Sequence, residues 1–163
     1  MRLKLMGTVL ALGLFMATSA QAQQVPATVT ARSPEGIASV MRFAGYPVKL
    51  GKDNAGDPMI ETEFGGYRGA IYFYGCDKKT HDGCDSLQFS ASFDSEKPMT
   101  STAANALAKK WRFASIHLDD EGDPWAQFDV VTLDGIPAPV FLRSMESFSW
   151  TLDEIASAVF GDD

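Results

Sequence analysis

The chain has 163 residues, 45% of them apolar and 21% charged, with a formal charge of −7; this is the composition of one ordinary globular domain, not of a disordered or fibrous chain. The acidic balance repels phosphate backbones and anionic membrane surfaces, and no basic stripe offsets it, so nucleic acid is set aside as a partner.

The N-terminus reads as an export signal. Arg2 and Lys4 precede an apolar run from Leu5 to Ala17, and Ala20-Gln21-Ala22 follows as a small-x-small cleavage site. The run is too short for a stable anchor, which needs about 20 apolar residues. No cysteine follows it to mark a lipoprotein. Cleavage after Ala22 is expected to leave a periplasmic chain without stable membrane insertion, with all 21 acidic residues but 12 of the 14 basic ones, a balance of −9. A domain of this length buries roughly two-thirds of its surface on folding.

Gln23 to Arg32 is polar and Thr/Ala/Pro-rich without periodicity, and is expected to be a flexible leader to one domain over 33–161. Ser33-Pro34-Glu35 supplies a helix cap, a proline for the first helical position and an acid at the positive helix end. Ile37, Val40, Met41 and Ala44 then recur at helical spacing until Gly45. From Tyr46 the period becomes alternating. Val48 and Leu50 lead into a turn at Asp53-Asn54-Ala55-Gly56-Asp57-Pro58, and Ile60, Thr62 and Phe64 follow on one face with Glu61 and Glu63 on the other.

Gly65-Gly66 leads into a second hairpin, Tyr67 to Phe93, whose arms end at Cys76 and restart at Cys84. Setting the cysteines opposite each other makes residues that sum to 160 face one another: Phe73 with Leu87, Ile71 with Phe89, Gly69 with Ala91, Tyr67 with Phe93. One register thus satisfies both the cysteines and the apolar alternation, and a one-residue slip spoils both.

Asp94 to Thr100 is a charged connection. A helix capped by Thr100 or Ser101 follows, with Ala104, Leu107, Ala108 and Trp111 on one stripe and Lys109 and Lys110 in its last turn. Ala114, Ile116 and Leu118 form a strand that Asp119-Asp120-Glu121-Gly122-Asp123-Pro124 turns back into Ala126, Phe128 and Val130, with Ile116 expected opposite Phe128. The pattern Asp-x-x-Gly-Asp-Pro thus occurs twice. After Asp134-Gly135 and the prolines 137 and 139, a long helix carries Phe141, Met145, Phe148, Leu152, Ile155 and Val159 on a narrow stripe suited to covering a sheet. The expected fold is a two-layer α+β domain with about five antiparallel strands and helices on one face, in the order α-β-β-β-α-β-β-α.

Chemistry is sparsely marked. Cys76, His81 and Cys84 could hold a metal or close a disulfide loop; export and the lack of a fourth soft ligand favour the disulfide. The spacing is not that of a Cys-x-x-Cys redox pair. The acidic turns offer hard oxygens, but proline stands where a calcium loop of the EF-hand type needs glycine. His81 and His117 are the two histidines, and there is no Gly-x-Ser-x-Gly elbow, phosphate-cradling glycine loop or His-Glu-x-x-His helix. No cofactor and no catalytic residue is expected. The second sheet face carries Glu61, Glu63, Tyr72, Tyr74, Ser86, Gln88, Ser90, Ser92, Gln127 and Asp129, with His117 beside them. Mixed aromatic and polar surfaces of this kind bind proteins. Tyr72, Tyr74, Gln88, His117 and Gln127 are the candidate interaction face, for an unidentified protein or a second copy of the chain. A small-ligand or metal sensor at the cysteine loop is the second reading, and an uncharacterised periplasmic enzyme the third.

Three stretches carry a family resemblance: Cys84-Asp85-Ser86-Leu87-Gln88-Phe89-Ser90-Ala91-Ser92-Phe93, Trp111-Arg112-Phe113-Ala114, and Leu118-Asp119-Asp120-Glu121-Gly122-Asp123-Pro124 with Asp129. Together they resemble the YbjN domain family over roughly Ser33 to Phe160. The chain departs from it at Leu107-Ala108, where the family often has Trp-Asn, and at Phe148, in place of a C-terminal tryptophan. The resemblance implies a fold similar to type III secretion chaperones and a regulatory label with no agreed biochemical activity. It supplies no catalytic residues, and likeness of fold does not establish chaperoning.

Overall fold

The computed structural model describes residues 25–161; the expected signal peptide and cleavage site lie outside them. The first helix, α1 (Pro34–Phe43), follows a short strand β1 (Thr28–Val29). The Ser33 hydroxyl accepts the Gly36 N–H at 3.2 Å, and Pro34 needs no partner for its missing N–H. Gly45, at φ +88°, closes the helix with its N–H on the Arg42 carbonyl.

β2 (Lys49–Lys52), β3 (Pro58–Phe64), β4 (Tyr67–Tyr74) and β5 (Ser86–Ser92) form a meander. Gly65 and Gly66 both have positive φ, +62° and +93°, which a two-residue turn matched to the twist of a hairpin requires. The ladder between β4 and β5 pairs Ile71 with Phe89, Tyr72 with Gln88 and Phe73 with Leu87, the register set by the cysteines. It stops at Ala70↔Ser90, yet the Tyr67 and Phe93 rings still meet beyond it at 5.3 Å. Cys76 and Cys84 form a disulfide.

After α2 (Ser101–Ala108) come β6 (Ala114–Leu118), β7 (Pro124–Val131), β8 (Ile136–Pro137) and α3 (Ala138–Phe160). β7 inserts between β5 and β6, which gives an antiparallel sheet of six strands in the order β2-β3-β4-β5-β7-β6, and β1 pairs with β8 in a separate two-stranded sheet. The core lies between α1, α3 and one face of the large sheet. Phe141, Met145, Phe148, Leu152 and Ile155 of α3 are fully buried there with Phe64, Ile71, Phe73, Leu87 and Phe89. The Phe148 ring meets Phe64 edge-on at 4.8 Å and lies 5.9 Å from Phe89.

Four details differ from the sequence reading. The large sheet has six strands rather than about five, because both arms of both early hairpins are separate strands. The leader expected over Gln23 to Arg32 is built into the fold from residue 25: Val29 and Ala31 are buried, Ala31 donates its N–H to the Thr132 hydroxyl at 2.9 Å, and Thr30 donates its hydroxyl to the Leu133 carbonyl at 2.7 Å. Ile116 faces Ala126, and Ala114 faces Phe128; this two-residue shift keeps every side chain on its expected face. Finally, α2 ends at Ala108, so Lys109, Lys110 and Trp111 follow the helix rather than extend its stripe.

Candidate functional site

Strand alternation sends the odd-numbered residues of β3, β6 and β7 and the even-numbered ones of β4 and β5 away from the helices. No helix covers that side of the large sheet among the described residues, and its side chains form rows across the strands. One row runs Gly51, Met59, Tyr72, Gln88, Asp129; the next runs Lys49, Glu61, Ala70, Ser90, Gln127, Ser115. Gln88 donates an Nε2 hydrogen bond to the Asp129 carboxylate at 2.9 Å, and Lys49 Nζ lies 2.9 Å from both Glu61 oxygens.

Tyr72 is half-buried between Met59 and Gln88, and Tyr74 beyond it is 47% exposed. Partial burial, then the neighbouring Tyr72, Asp129 and Asp53, raise the Tyr74 hydroxyl above its ordinary pKa, so it remains a neutral donor and acceptor at physiological pH.

The expected face therefore splits. Tyr72, Tyr74 and Gln88 form one cluster with Asp129 and Met59. Gln127 is half-buried in the adjoining row between Ser90 and Ser115. His117 lies on the edge strand β6, three strands from β4 and so roughly 14 Å from the tyrosines by strand spacing, and stacks on Trp125 with ring centroids 6.4 Å apart. The sequence reading missed Met59 and Trp125 as members of the face, although their odd numbers on β3 and β7 assign them to it.

Trp125 is fixed in turn by its indole N–H, which donates to Asp119 Oδ2 at 3.0 Å; the other Asp119 oxygen accepts from the N–H groups of Glu121 and Asp123. These bonds, the indole first, hold the Asp119 carboxyl below its ordinary pKa. Asp53 uses one carboxylate oxygen in the same way, on the N–H groups of Ala55 and Asp57 at 2.8 and 2.9 Å. The two Asp-x-x-Gly-Asp-Pro turns are thus built alike, with Gly56 at φ +95° and Gly122 at +87°, and their leading carboxylates are turned inward to satisfy backbone N–H groups.

At the disulfide loop the sulfurs are bonded to each other and are not thiolate ligands. Asp77 organises the loop by accepting from the Lys79 and Thr80 N–H groups and the Thr80 hydroxyl, and these bonds lower its pKa. His81 Nδ1 lies 2.7 Å from Asp57 Oδ1, joining the loop to the first Asp-Pro turn. The pair has the base-and-acid form of a hydrolase, but among the described residues no hydroxyl or thiol bonds to the other ring nitrogen to serve as nucleophile. The described residues also contain no group of three His, Cys, Asp or Glu side chains placed to hold a metal ion.

The site thus defines a class: a two-layer α+β domain, open on one sheet face, with a covalently closed loop and no catalytic constellation among its described residues. The family model of YbjN, described as "Putative bacterial sensory transduction regulator", matches residues 33–160. The chain belongs to the YbjN family. It is also similar to the crystal structure of YbjN, "a putative transcription regulator from E. coli", with a TM-score of 0.46 and 13% identity, over 76% of this chain and 90% of that one. No curated protein matches.

Proposed function

We propose that this chain is an exported, non-enzymatic regulatory domain that binds another protein through the uncovered sheet face around Tyr72 and Tyr74. The observation that carries this reading is the unequal finish of the two faces. One is sealed by α1 and α3, whereas the other presents Tyr72, Tyr74, Gln88 and Asp129 as one aromatic and polar cluster without a layer of described residues above it. Tyrosine suits such a surface: it brings a large contact area, few rotatable bonds and a hydroxyl that bonds at the rim.

Export rests on the N-terminal pattern of Arg2, Lys4, the apolar run and Ala20-Gln21-Ala22. The Cys76–Cys84 disulfide supports it, since such bonds persist in oxidising compartments. No helix among the described residues is long and apolar enough to cross a membrane. The family's regulatory description supports a binding role over a catalytic one.

A photo-crosslinking amino acid placed at Tyr74, compared in intact cells with one placed at Glu35 on α1, tests the reading. A discrete crosslinked species from position 74 and none from 35 is expected. Equal or absent crosslinking from both positions contradicts it.

A further inference from the structure

β7 outruns the strand beside it. The β6–β7 ladder ends at Ala114↔Phe128, while β7 continues to Val131 and stays paired with β5 as far as Ser86↔Val131. Parity identifies the backbone groups left over. The Phe93 N–H donates to the Pro124 carbonyl at 3.2 Å and the Thr132 N–H to the Asp85 carbonyl at 3.0 Å. Even-numbered residues of this stretch therefore bond towards β5, and odd-numbered ones turn their N–H and C=O groups the other way. Trp125 and Gln127 face His117 and Ser115 of β6 on that side. Asp129 and Val131 face a side where no described strand lies.

A groove of about 760 Å³ adjoins this open edge, walled by β7, the residues entering β6 and the first turns of α3. Three of its large apolar side chains are mostly exposed: Phe113 at 67%, Val131 at 64% and Val140 at 51%. Two arginines line it. Arg143 is engaged, 2.7 Å from Glu146 and stacked over the Trp150 ring. Arg112 lies 5.3 Å from the centre of the Phe113 ring and forms no ion pair among the described residues. In a chain of net charge −7, the groove thus offers one uncommitted arginine, while the carboxylate of its lining residue Asp129 already accepts from Gln88.

Unpaired strand edge, apolar trough and free guanidinium are the three parts of a site for an extended peptide. Edge N–H and C=O groups supply the hydrogen bonds of an added strand, alternate side chains fill the trough, and the guanidinium takes a carboxylate. We propose that the groove receives an extended segment of a partner protein that pairs with Asp129 and Val131, lays an aliphatic side chain against Phe113 and Val140, and places a carboxylate on Arg112. The site meets the tyrosine face at Asp129, whose carboxylate bonds Gln88 on that face while its backbone groups turn to the open edge; Tyr72 and Tyr74 themselves lie on β4, two strands from β7, so they can be replaced without touching the edge.

The test uses the mature full chain and a fluorescein-labelled Lys-Val-Thr-Val-Thr-Val-Glu peptide, read by anisotropy. Saturable binding is expected. Replacing the peptide's Glu by Gln, or making Arg112→Gln in the protein, should each weaken binding about tenfold, with little further loss when the two are combined. N-methylation of alternate peptide nitrogens should abolish binding, and needs no change to the protein that could disturb its fold. Tyr72→Ala with Tyr74→Ala should leave the affinity unchanged, which separates this site from the tyrosine face. Absence of saturable binding up to about 1 mM peptide, or binding indifferent to both Arg112→Gln and N-methylation, overturns the proposal. Self-association of the chain that Arg112→Gln removes would overturn it too, assigning the groove to a second copy.

Discussion

Gly69 of β4 leaves no room for a side chain. A Cβ built there would lie 2.6 Å from the Ser90 carbonyl oxygen and 2.9 Å from the Phe64 ring. The obstacle on one side is main chain, which cannot swing aside as a long side chain would. Gly69→Ala should therefore destabilise by about 1–3 kcal/mol, the ordinary cost of overpacking, read as a lower denaturant midpoint with an unchanged slope. Asp119 gives a pH-dependent counterpart. Its carboxyl pKa is lowered in the folded chain by the Trp125 indole and backbone N–H bonds, so its contribution is present above the unfolded value, near 4, and is lost as pH falls through the folded one. The melting temperature of Asp119→Asn should fall below that of the parent at pH 7, and the gap should close as the pH is lowered below about 4.

At the scale of elements, how well an element could be read from sequence followed how locally it was determined. The β4–β5 register was legible because two independent constraints, the cysteine pair and the alternation of Phe73, Ile71, Leu87 and Phe89, agreed on one alignment. The strand β1 was not legible. Its partner lies more than a hundred residues away at Ile136 and Pro137, and its Thr- and Ala-rich sequence has no period to announce a strand. The face assignment of Tyr72, Tyr74, Gln88 and Gln127 was readable from parity alone. Which of them sit together was not, because that depends on β7 inserting beside β5 and sending β6, with His117, to the edge. The disulfide belongs at this scale as well, as a clasp beyond the end of the β4–β5 ladder. Replacing both cysteines by alanine should cost about 2.5 kcal/mol on the loop-entropy estimate, while β4 and β5 keep their register through the buried pairs Phe73–Leu87 and Ile71–Phe89. Hydrogen exchange would register faster opening of the loop and unchanged protection in the strands.

Over the whole molecule, the same sheet supports two kinds of surface. Its inner face is consumed by α1 and α3 and accounts for stability: the aromatic cluster of Phe64, Phe89, Phe128, Phe141 and Phe148 ties four elements, β3, β5, β7 and α3, into one core. Its outer face contributes little to that core and carries side chains whose types suit recognition. Because the inner cluster is separate from Tyr72 and Tyr74, the proposed binding should be removable without unfolding the chain. Sedimentation velocity of Tyr72→Ala with Tyr74→Ala, alongside the parent chain and its captured partner or a second copy, tests this most directly. The double variant should keep native near-ultraviolet circular dichroism and sediment as a single unassociated species. Native dichroism together with undiminished association would contradict it.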